Sequence, residues 1–375
     1  MLRSSFSKRL NTLREQVGQL LIMGFDEAEP SAKLRSTLAT LQPGGVILFA
    51  RNIQHPAQTW HLLHECEQIV NTPLFRCVDL EGGMVDRLRN AIAPVPSAAD
   101  VFATRDRKAF RRAGQVIGEE CRALGFNVDF APVSDLGLEP SRSVLTSRTV
   151  SADPKETATF VREFLRGLKD AEVLGCGKHF PGLGEGEFDS HKGLPVIRKP
   201  LKRMWEEDLY PYRDLKKDFP FVMVAHAAYP DVTNDQQPAS LSKKWITDIL
   251  RKKIGFKNLV ITDDLDMGGV QAAASVGDAA VQTLKAGADM FMVCNSEEHV
   301  WRAYHMVLSE ADRDRRFATL VAERAQRVLD YKRKSAALKR MAPRPTQKIV
   351  DKLQRAIWEL NEEVRLEQVA AGAQQ

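Results

Sequence analysis

Eight short apolar runs, each of strand length, recur along this chain with longer amphipathic stretches between them. They cover residues 19–25, 45–49, 74–79, 127–133, 173–178, 221–226, 258–262 and 289–294. Several are continuous rather than alternating, as in Phe221-Val222-Met223-Val224-Ala225. That is the pattern of strands buried on both faces of a parallel sheet. The stretches between them, among them 56–70, 105–124, 154–171 and 200–217, read as helices. Asp153-Pro154 puts a capping carboxylate before a proline at the first helical position. Ser242 and Gly255 bracket a further helix over 243–253 as start and stop signals. Eight parallel strands alternating with helices predict an α/β fold, a closed (β/α)8 TIM-type barrel. The doubly wound open sheet is the runner-up, but no G-x-G-x-x-G loop follows the first strand, so dinucleotide binding has little support.

A barrel of this kind takes roughly 250 residues or more. The chain has 375, which leaves room for a catalytic barrel over 1–310 and a helical C-terminal extension over 311–375. Residues 311–334 read as a charged helix, Met341-Ala342-Pro343-Arg344-Pro345 breaks it, and Ile349, Val350, Leu353, Ile357, Leu360 and Val364 then recur at helical spacing. That stripe is expected to pack on the barrel or on a partner subunit. The 54 basic and 49 acidic side chains are interleaved, which does not favour nucleic acid as a partner. No apolar run approaches the roughly 18 residues a bilayer span needs, and Leu20-Leu21-Ile22-Met23 is too short for a signal-peptide core. The five cysteines are scattered and odd in number, without the spacing of a zinc site or a disulfide framework. A reduced, cytoplasmic protein follows, with no metal, no cofactor and no membrane partner expected and the oligomeric state left open. His61 and His64 lie three apart within a helical stretch, where a surface pair is expected rather than ligands.

In such a barrel the active site lies at the C-terminal ends of the strands, so the residues that end each run are the candidates. The third run ends in Asp79-Leu80-Glu81-Gly82-Gly83, the fifth in Lys178-His179, the sixth in His226, the seventh in Thr262-Asp263-Asp264 and the eighth in Cys294-Asn295. Turn-forming Asp and Asn account for one or two such ends, but not readily for Lys178-His179 or His226. After the fifth run comes Phe180-Pro181-Gly182-Leu183-Gly184-Glu185-Gly186-Glu187-Phe188-Asp189-Ser190-His191-Lys192-Gly193-Leu194-Pro195. In an extended stretch Asp189 and His191 point the same way, so the carboxylate could orient the imidazole as a general acid/base. A surface loop with a chance Asp/His pair is the equal alternative from composition.

Lys178-His179-Phe180-Pro181-Gly182, Asp189-Ser190-His191 and Gly193-Leu194-Pro195 together resemble the signature of family-3 glycoside hydrolases, most closely the bacterial β-N-acetylglucosaminidases of cell-wall recycling. Asp79–Leu88, Asn127–Val133, Ala225–Pro230, Val260–Leu265 and Ala286–Met290 agree in order, so the resemblance spans about residues 12 to 300. It implies a retaining hydrolase that removes terminal β-linked N-acetylglucosamine from a small carbohydrate such as a muropeptide fragment. It assigns Asp263 as nucleophile and His191, assisted by Asp189, as acid/base. It further implies sugar contacts by Asp79, Arg87, Arg148, Lys178, His179 and His226.

Members of the family commonly read Asp-Gln-Glu-Gly-Gly-Arg at the third strand end, where this chain has Leu80 and Met84 in place of Gln and Arg. Leu183 stands where many have His, and Thr149-Val150 where many have Ser-Phe. A phosphorylase, and a sugar-binding relative with decayed activity, are the alternatives. A metal-dependent hydrolase would need clustered His and carboxylate ligands at strand ends, which the runs do not supply.

Overall fold

The computed structural model describes residues 10, 12–186 and 193–372. Eight parallel strands form its central sheet: β1 (Leu21–Met23), β2 (Gly45–Ile47), β3 (Phe75–Val78), β4 (Val128–Asp129), β5 (Cys176–Phe180), β6 (Phe221–Val224), β7 (Leu259–Asp264) and β8 (Met290–Val293). Each lies within or against one of the eight apolar runs. Neighbours follow chain order from β1 to β4 and from β5 to β8, and β8 pairs with β1. The remaining seam, between β4 and β5, is closed by bridges Val128–Leu174 and Val133–Lys178. The Cys176 amide donates to the Ala131 carbonyl across this seam at 2.7 Å. The sheet is therefore a (β/α)8 barrel, as the run pattern predicts. Closure leaves no sheet edge, and continuous apolar strands such as Phe221–Val224 are buried along their whole length.

The helices follow the amphipathic stretches, with differences that have local causes. The helix Pro154–Asp170 starts on Asp153, whose carboxylate accepts from the amides of Lys155 and Glu156. The stretch 105–124 yields Arg107–Ala123, capped by Asp106. The stretch 200–217 splits into Leu201–Glu206 and Tyr210–Asp214, because Pro211 cannot donate to the preceding turn. Ser242 does not cap its helix: Lys244–Ile254 is wound as a π-helix without a side-chain cap, and it ends at Gly255 in the left-handed region. The 311–334 expectation divides at Asp314, which ends Glu297–Arg313 and caps Arg315–Lys334 through the Arg316 amide.

Two helices after Glu297–Arg313 complete the barrel surface. Arg315–Lys334 crosses the N-terminal end of the barrel and sends Lys332 inside, where its ammonium donates to Gln19 Oε1 at 3.0 Å and to the Gly44 carbonyl at 2.7 Å. Burial pushes that lysine down to about 7. The long helix Gln347–Gly372 lies on the barrel's own flank against Ala98–Ala103 and Arg107–Ala123. Leu353, Ile357, Leu360 and Val364 form its buried stripe, whereas Trp358 on the other side is 63% exposed. Asn361 Nδ2 and Gln354 Nε2 bond the carbonyls of Pro94 and Ile92. Leu360→Ala is expected to cost about 2–5 kcal/mol in urea unfolding through the cavity it leaves. The exposed Trp358→Ala should stay within about 0.5 kcal/mol of the parent.

Candidate active site

The polar residues that end the strands meet at the C-terminal mouth of the barrel. After β3 the chain passes Asp79 into a small antiparallel hairpin, Leu80–Gly82 against Val85–Asp86. Its turn has Gly82 at φ +88° and Gly83 at φ +58°, a region costly for residues with a Cβ. A Cβ on Gly82 would also lie 2.1 Å from the Pro96 carbonyl oxygen. The Asp86 carboxylate fixes the hairpin's far end by accepting from the amides of Leu88 (2.9 Å) and Val95 (3.1 Å). Asp79, Glu81 and Arg87 are thus carried on one braced unit.

Lys178, almost fully buried on β5, reaches this unit from across the barrel. Its ammonium lies 2.8 Å from Asp79 Oδ1 and 2.5 Å from Glu81 Oε1. Arg148 closes on the same carboxylate in bidentate fashion, Nε to Oε2 at 2.7 Å and Nη2 to Oε1 at 2.9 Å. Burial alone would raise the Glu81 carboxyl, but Arg148 and Lys178 outweigh it and hold the group well below its ordinary range. Burial likewise opposes the charge on Lys178, and Asp79 and Glu81 reverse the effect and raise it. The β5–β6 register shifts between Gly177 and Phe180, and such irregularities re-aim side chains. Lys178 and its neighbour His179 both join the polar cluster. His179 Nδ1 lies 2.7 Å from Asp135 Oδ2 and its Nε2 lies 3.4 Å from Arg148 Nη2. The fully buried Asp135 also accepts from the amides of His179 and Leu183.

Asp263 and Asp264, adjacent at the end of β7, stand in different surroundings. Asp264 is tied into the wall: its carboxylate accepts from the amides of Cys294 and Asp266 at 3.0 Å each and from Asn295 Nδ2 at 2.7 Å. Burial, helped by the charges of Asp266 and Asp263, pushes it up to about 7. Asp263 is partly accessible and accepts from the Asp264 amide at 2.9 Å. Burial would raise it too, but His179, His226, that amide and Lys178 prevail and hold it below the ordinary 3.8. His226 is fully buried: Nε2 is 2.9 Å from the Asp264 carbonyl oxygen and Nδ1 is 2.8 Å from Ser240 Oγ. A carbonyl only accepts, so Nε2 carries a proton and donates it to the Asp264 oxygen. Burial lowers this imidazole from its ordinary 6.5, against the opposing pull of the Asp263 charge and the Asp264 carbonyl.

Comparison with known proteins identifies the family. The model of the glycosyl hydrolase family 3 N terminal domain matches residues 12–331. The chain belongs to glycosyl hydrolase family 3. It is 39% identical over 262 residues to a beta-hexosaminidase of Thiobacillus denitrificans, covering 68% of this chain and 72% of that one. It is 37% identical over 271 residues to a beta-hexosaminidase of Pseudomonas aeruginosa, covering 71% and 79%. Among solved structures, a family 3 β-N-acetylglucosaminidase from Paenibacillus superposes with a TM-score of 0.87 at 33% identity, over 94% of this chain and 69% of that one.

Of the positions this family resemblance singled out, Asp79, Arg148, Lys178, His179 and Asp263 converge on one mouth. Arg87, on the same hairpin, has its guanidinium carbon 6.0 Å from the Phe49 ring centre, and its buried Nε has no hydrogen-bond partner. A donor left open beside the mouth suits a sugar oxygen. His226 differs in being fully buried, with Nε2 on the Asp264 carbonyl and Nδ1 on Ser240 Oγ, so it braces the backbone that carries Asp263. Asp189 and His191 lie on 187–192, outside the described residues. The flanks of that segment are fixed beside the site. Tyr229 Oη donates to the Gly182 carbonyl at 2.7 Å, and Lys199 joins Glu185 (3.2 Å) to Asp208 (2.6 Å).

Sequence reasoning did not single out Glu81 or Asp135, the two carboxylates that organise the cluster. Glu81 sits within the quoted hairpin motif, and Asp135 follows the fourth run by two residues, so position at a strand end was the available signal. Among the described residues no group of three or more His, Cys, Asp or Glu is arranged for a metal ion. A cleft of about 1520 Å3 lined by Leu174, Leu259 and Tyr331 opens at the opposite end of the barrel and holds none of the residues above.

Glu81→Gln should destabilise the protein by about 3–5 kcal/mol at pH 7, because two buried cations lose their shared anion. The folded-state carboxyl lies below its ordinary 4.5, so this contribution is complete above that pH and is lost as pH falls through the folded-state value. Urea unfolding at pH 7 and at pH 4 should show the gap between parent and variant narrowing with acid.

Proposed function

We propose that this protein is a retaining β-N-acetylglucosaminidase acting through a covalent glycosyl-Asp263 intermediate, with His191 and Asp189 as the acid/base pair. The observation that carries the reading is the contrast between Asp263, held ionised and partly accessible at the mouth of β7, and Asp264, bound into the wall. A nucleophilic carboxylate must be charged and must have an oxygen free to attack. Family 3 membership and beta-hexosaminidase relatives above 35% identity support the reaction class and the sugar.

In this reading Asp263 attacks the anomeric carbon from below while the bond to the leaving oxygen breaks, and His191 gives that oxygen a proton. The same imidazole then takes a proton from water, which attacks the anomeric carbon and frees Asp263. Asp79, with two acceptor oxygens, accepts hydrogen bonds from sugar hydroxyls, and Arg87, Arg148 and Lys178 donate to sugar oxygens or the acetamido carbonyl. The shared anions Asp79 and Glu81 keep the cations in place before substrate arrives, so little reorganisation is needed on binding. The substrate is a small carbohydrate, an N-acetylglucosaminide such as a peptidoglycan fragment. Five buried thiols, none of them paired, accord with a reducing cytoplasmic setting, and no helix among the described residues is long and apolar enough to cross a membrane.

A chromogenic N-acetyl-β-glucosaminide should be hydrolysed by the parent, and Asp263→Asn should lose at least about a thousandfold in kcat. A 2-fluoro glycoside should label Asp263, as read by peptide mass spectrometry; label on Asp264 or on a glutamate would overturn the assignment. Sugar 1-phosphate as product in phosphate buffer would make the acceptor phosphate rather than water. His191→Ala should slow substrates with poor leaving groups by about a hundredfold or more while sparing activated phenols, since only the former need a proton. Equal loss on both would remove His191 from the acid role.

A further inference from the structure

Behind the sugar-binding hairpin the chain buries three carboxyl groups with no cation among the charged neighbours of the innermost one. Glu120, on the helix Arg107–Ala123, has no solvent exposure, and neither of its oxygens has a hydrogen-bond partner. The charged groups that act on it are Asp86 and Asp129, both acids. Asp129, at the end of β4, is equally buried. Its Oδ1 accepts from the Leu80 amide at 2.9 Å and its Oδ2 is unpartnered. Asp86 accepts from the Leu88 and Val95 amides and lies in the field of Arg89. On its other side Asp129 faces Lys178, Asp79 and Glu81.

Three anions cannot share a dry space, because each unpaired buried charge costs several kcal/mol. A proton removes one charge and also creates a donor, since a carboxylic acid, unlike a carboxylate, can give a hydrogen bond. The orphan oxygen of Asp129 is the acceptor left without a donor. Burial pushes both Glu120 and Asp129 well above the usual carboxylate range, but Asp129 has the Leu80 amide and Lys178 to favour its charged form and Glu120 has only the two neighbouring acids, so the proton belongs on Glu120.

We propose that Glu120 is a positioning residue for the hydrolysis: its protonated carboxyl donates to Asp129 Oδ2 and so steadies the carboxylate that holds the Leu80 amide, setting where Asp79, Glu81 and Arg87 stand. Leu80 is the residue between Asp79 and Glu81, and it pairs with Asp86 across the hairpin. A shift at its amide therefore moves both sugar-facing carboxylates and the strand that leads to Arg87. The inference rests on the hydrolase reading of the site.

The test compares Glu120→Leu, which keeps the volume but cannot donate, with Glu120→Gln, which stays neutral and can. Glu120→Leu should raise KM for the chromogenic glycoside about tenfold or more through the lost hydrogen bond, with kcat changed less and no fall in Tm. Glu120→Gln should recover most of that loss. Infrared spectra at neutral pH should show the carbonyl stretch of a protonated carboxylic acid that is missing from Glu120→Gln; this reading stands even if the leucine variant does not fold. A parent KM in Glu120→Leu, a glutamine variant as impaired as the leucine one, or no protonated-acid band that depends on Glu120 would each overturn the proposal. If the parent itself hydrolyses no glycoside, the activity reading fails, while the infrared result still decides the proton on Glu120.

Discussion

Lys178 stands almost fully buried at the barrel mouth, where an ammonium loses several kcal/mol of hydration unless anions take the place of water. Asp79 and Glu81 supply those anions. Glu81 in turn is a buried carboxylate that would be costly alone, and Arg148 completes its coordination. Each ion is thus tolerated because of the next, and the chain of contacts runs from the β3 hairpin through β5 to the loop after β4. The result is a cluster of donors and acceptors already in place at the barrel mouth. Preorganised polar groups in a water-poor pocket act more strongly than the same groups in water.

The two aspartates at the end of β7 show how surroundings separate identical side chains. Asp264 spends its oxygens on Cys294, Asp266 and Asn295 and so ties β7 to the loop after β8. Asp263 keeps its accessibility and sits in the field of His179, His226 and Lys178. His226 contributes from behind the wall: buried and hydrogen-bonded at both ring nitrogens, it holds the Asp264 carbonyl and with it the backbone that aims Asp263. A residue can thus belong to a family motif by fixing the peptide next to a more accessible residue of the same mouth.

Much of the fold was legible in the chain because a parallel barrel writes itself as continuous apolar runs. Phe221–Val224 and Met290–Val293 are apolar throughout because helices cover one face of each strand and the barrel core the other. The breaks were less legible. Pro211 divides a stretch that reads as one helix, and Asp314 divides another by capping the second half. In both, one residue's backbone preference overrides a periodicity that continues across it. Ser242 reads as a cap, but Lys244–Ile254 starts after Lys243 without a side-chain cap.

The sequence by itself determined the fold class and the candidates: strand ends rich in ionisable residues, and a motif order that few folds share. Those are local facts, legible because strand periodicity and the ends of apolar runs depend on neighbours in the chain. Which carboxylate is charged, how each imidazole is hydrogen-bonded, and that Glu81 and Asp135 organise the cluster were decided only by the tertiary structure. The partners of Glu81 are 67 residues away at Arg148 and 97 away at Lys178. Charge state and hydrogen bonding depend on burial and on such distant groups, and barrel closure alone brings them within 3 Å of one another.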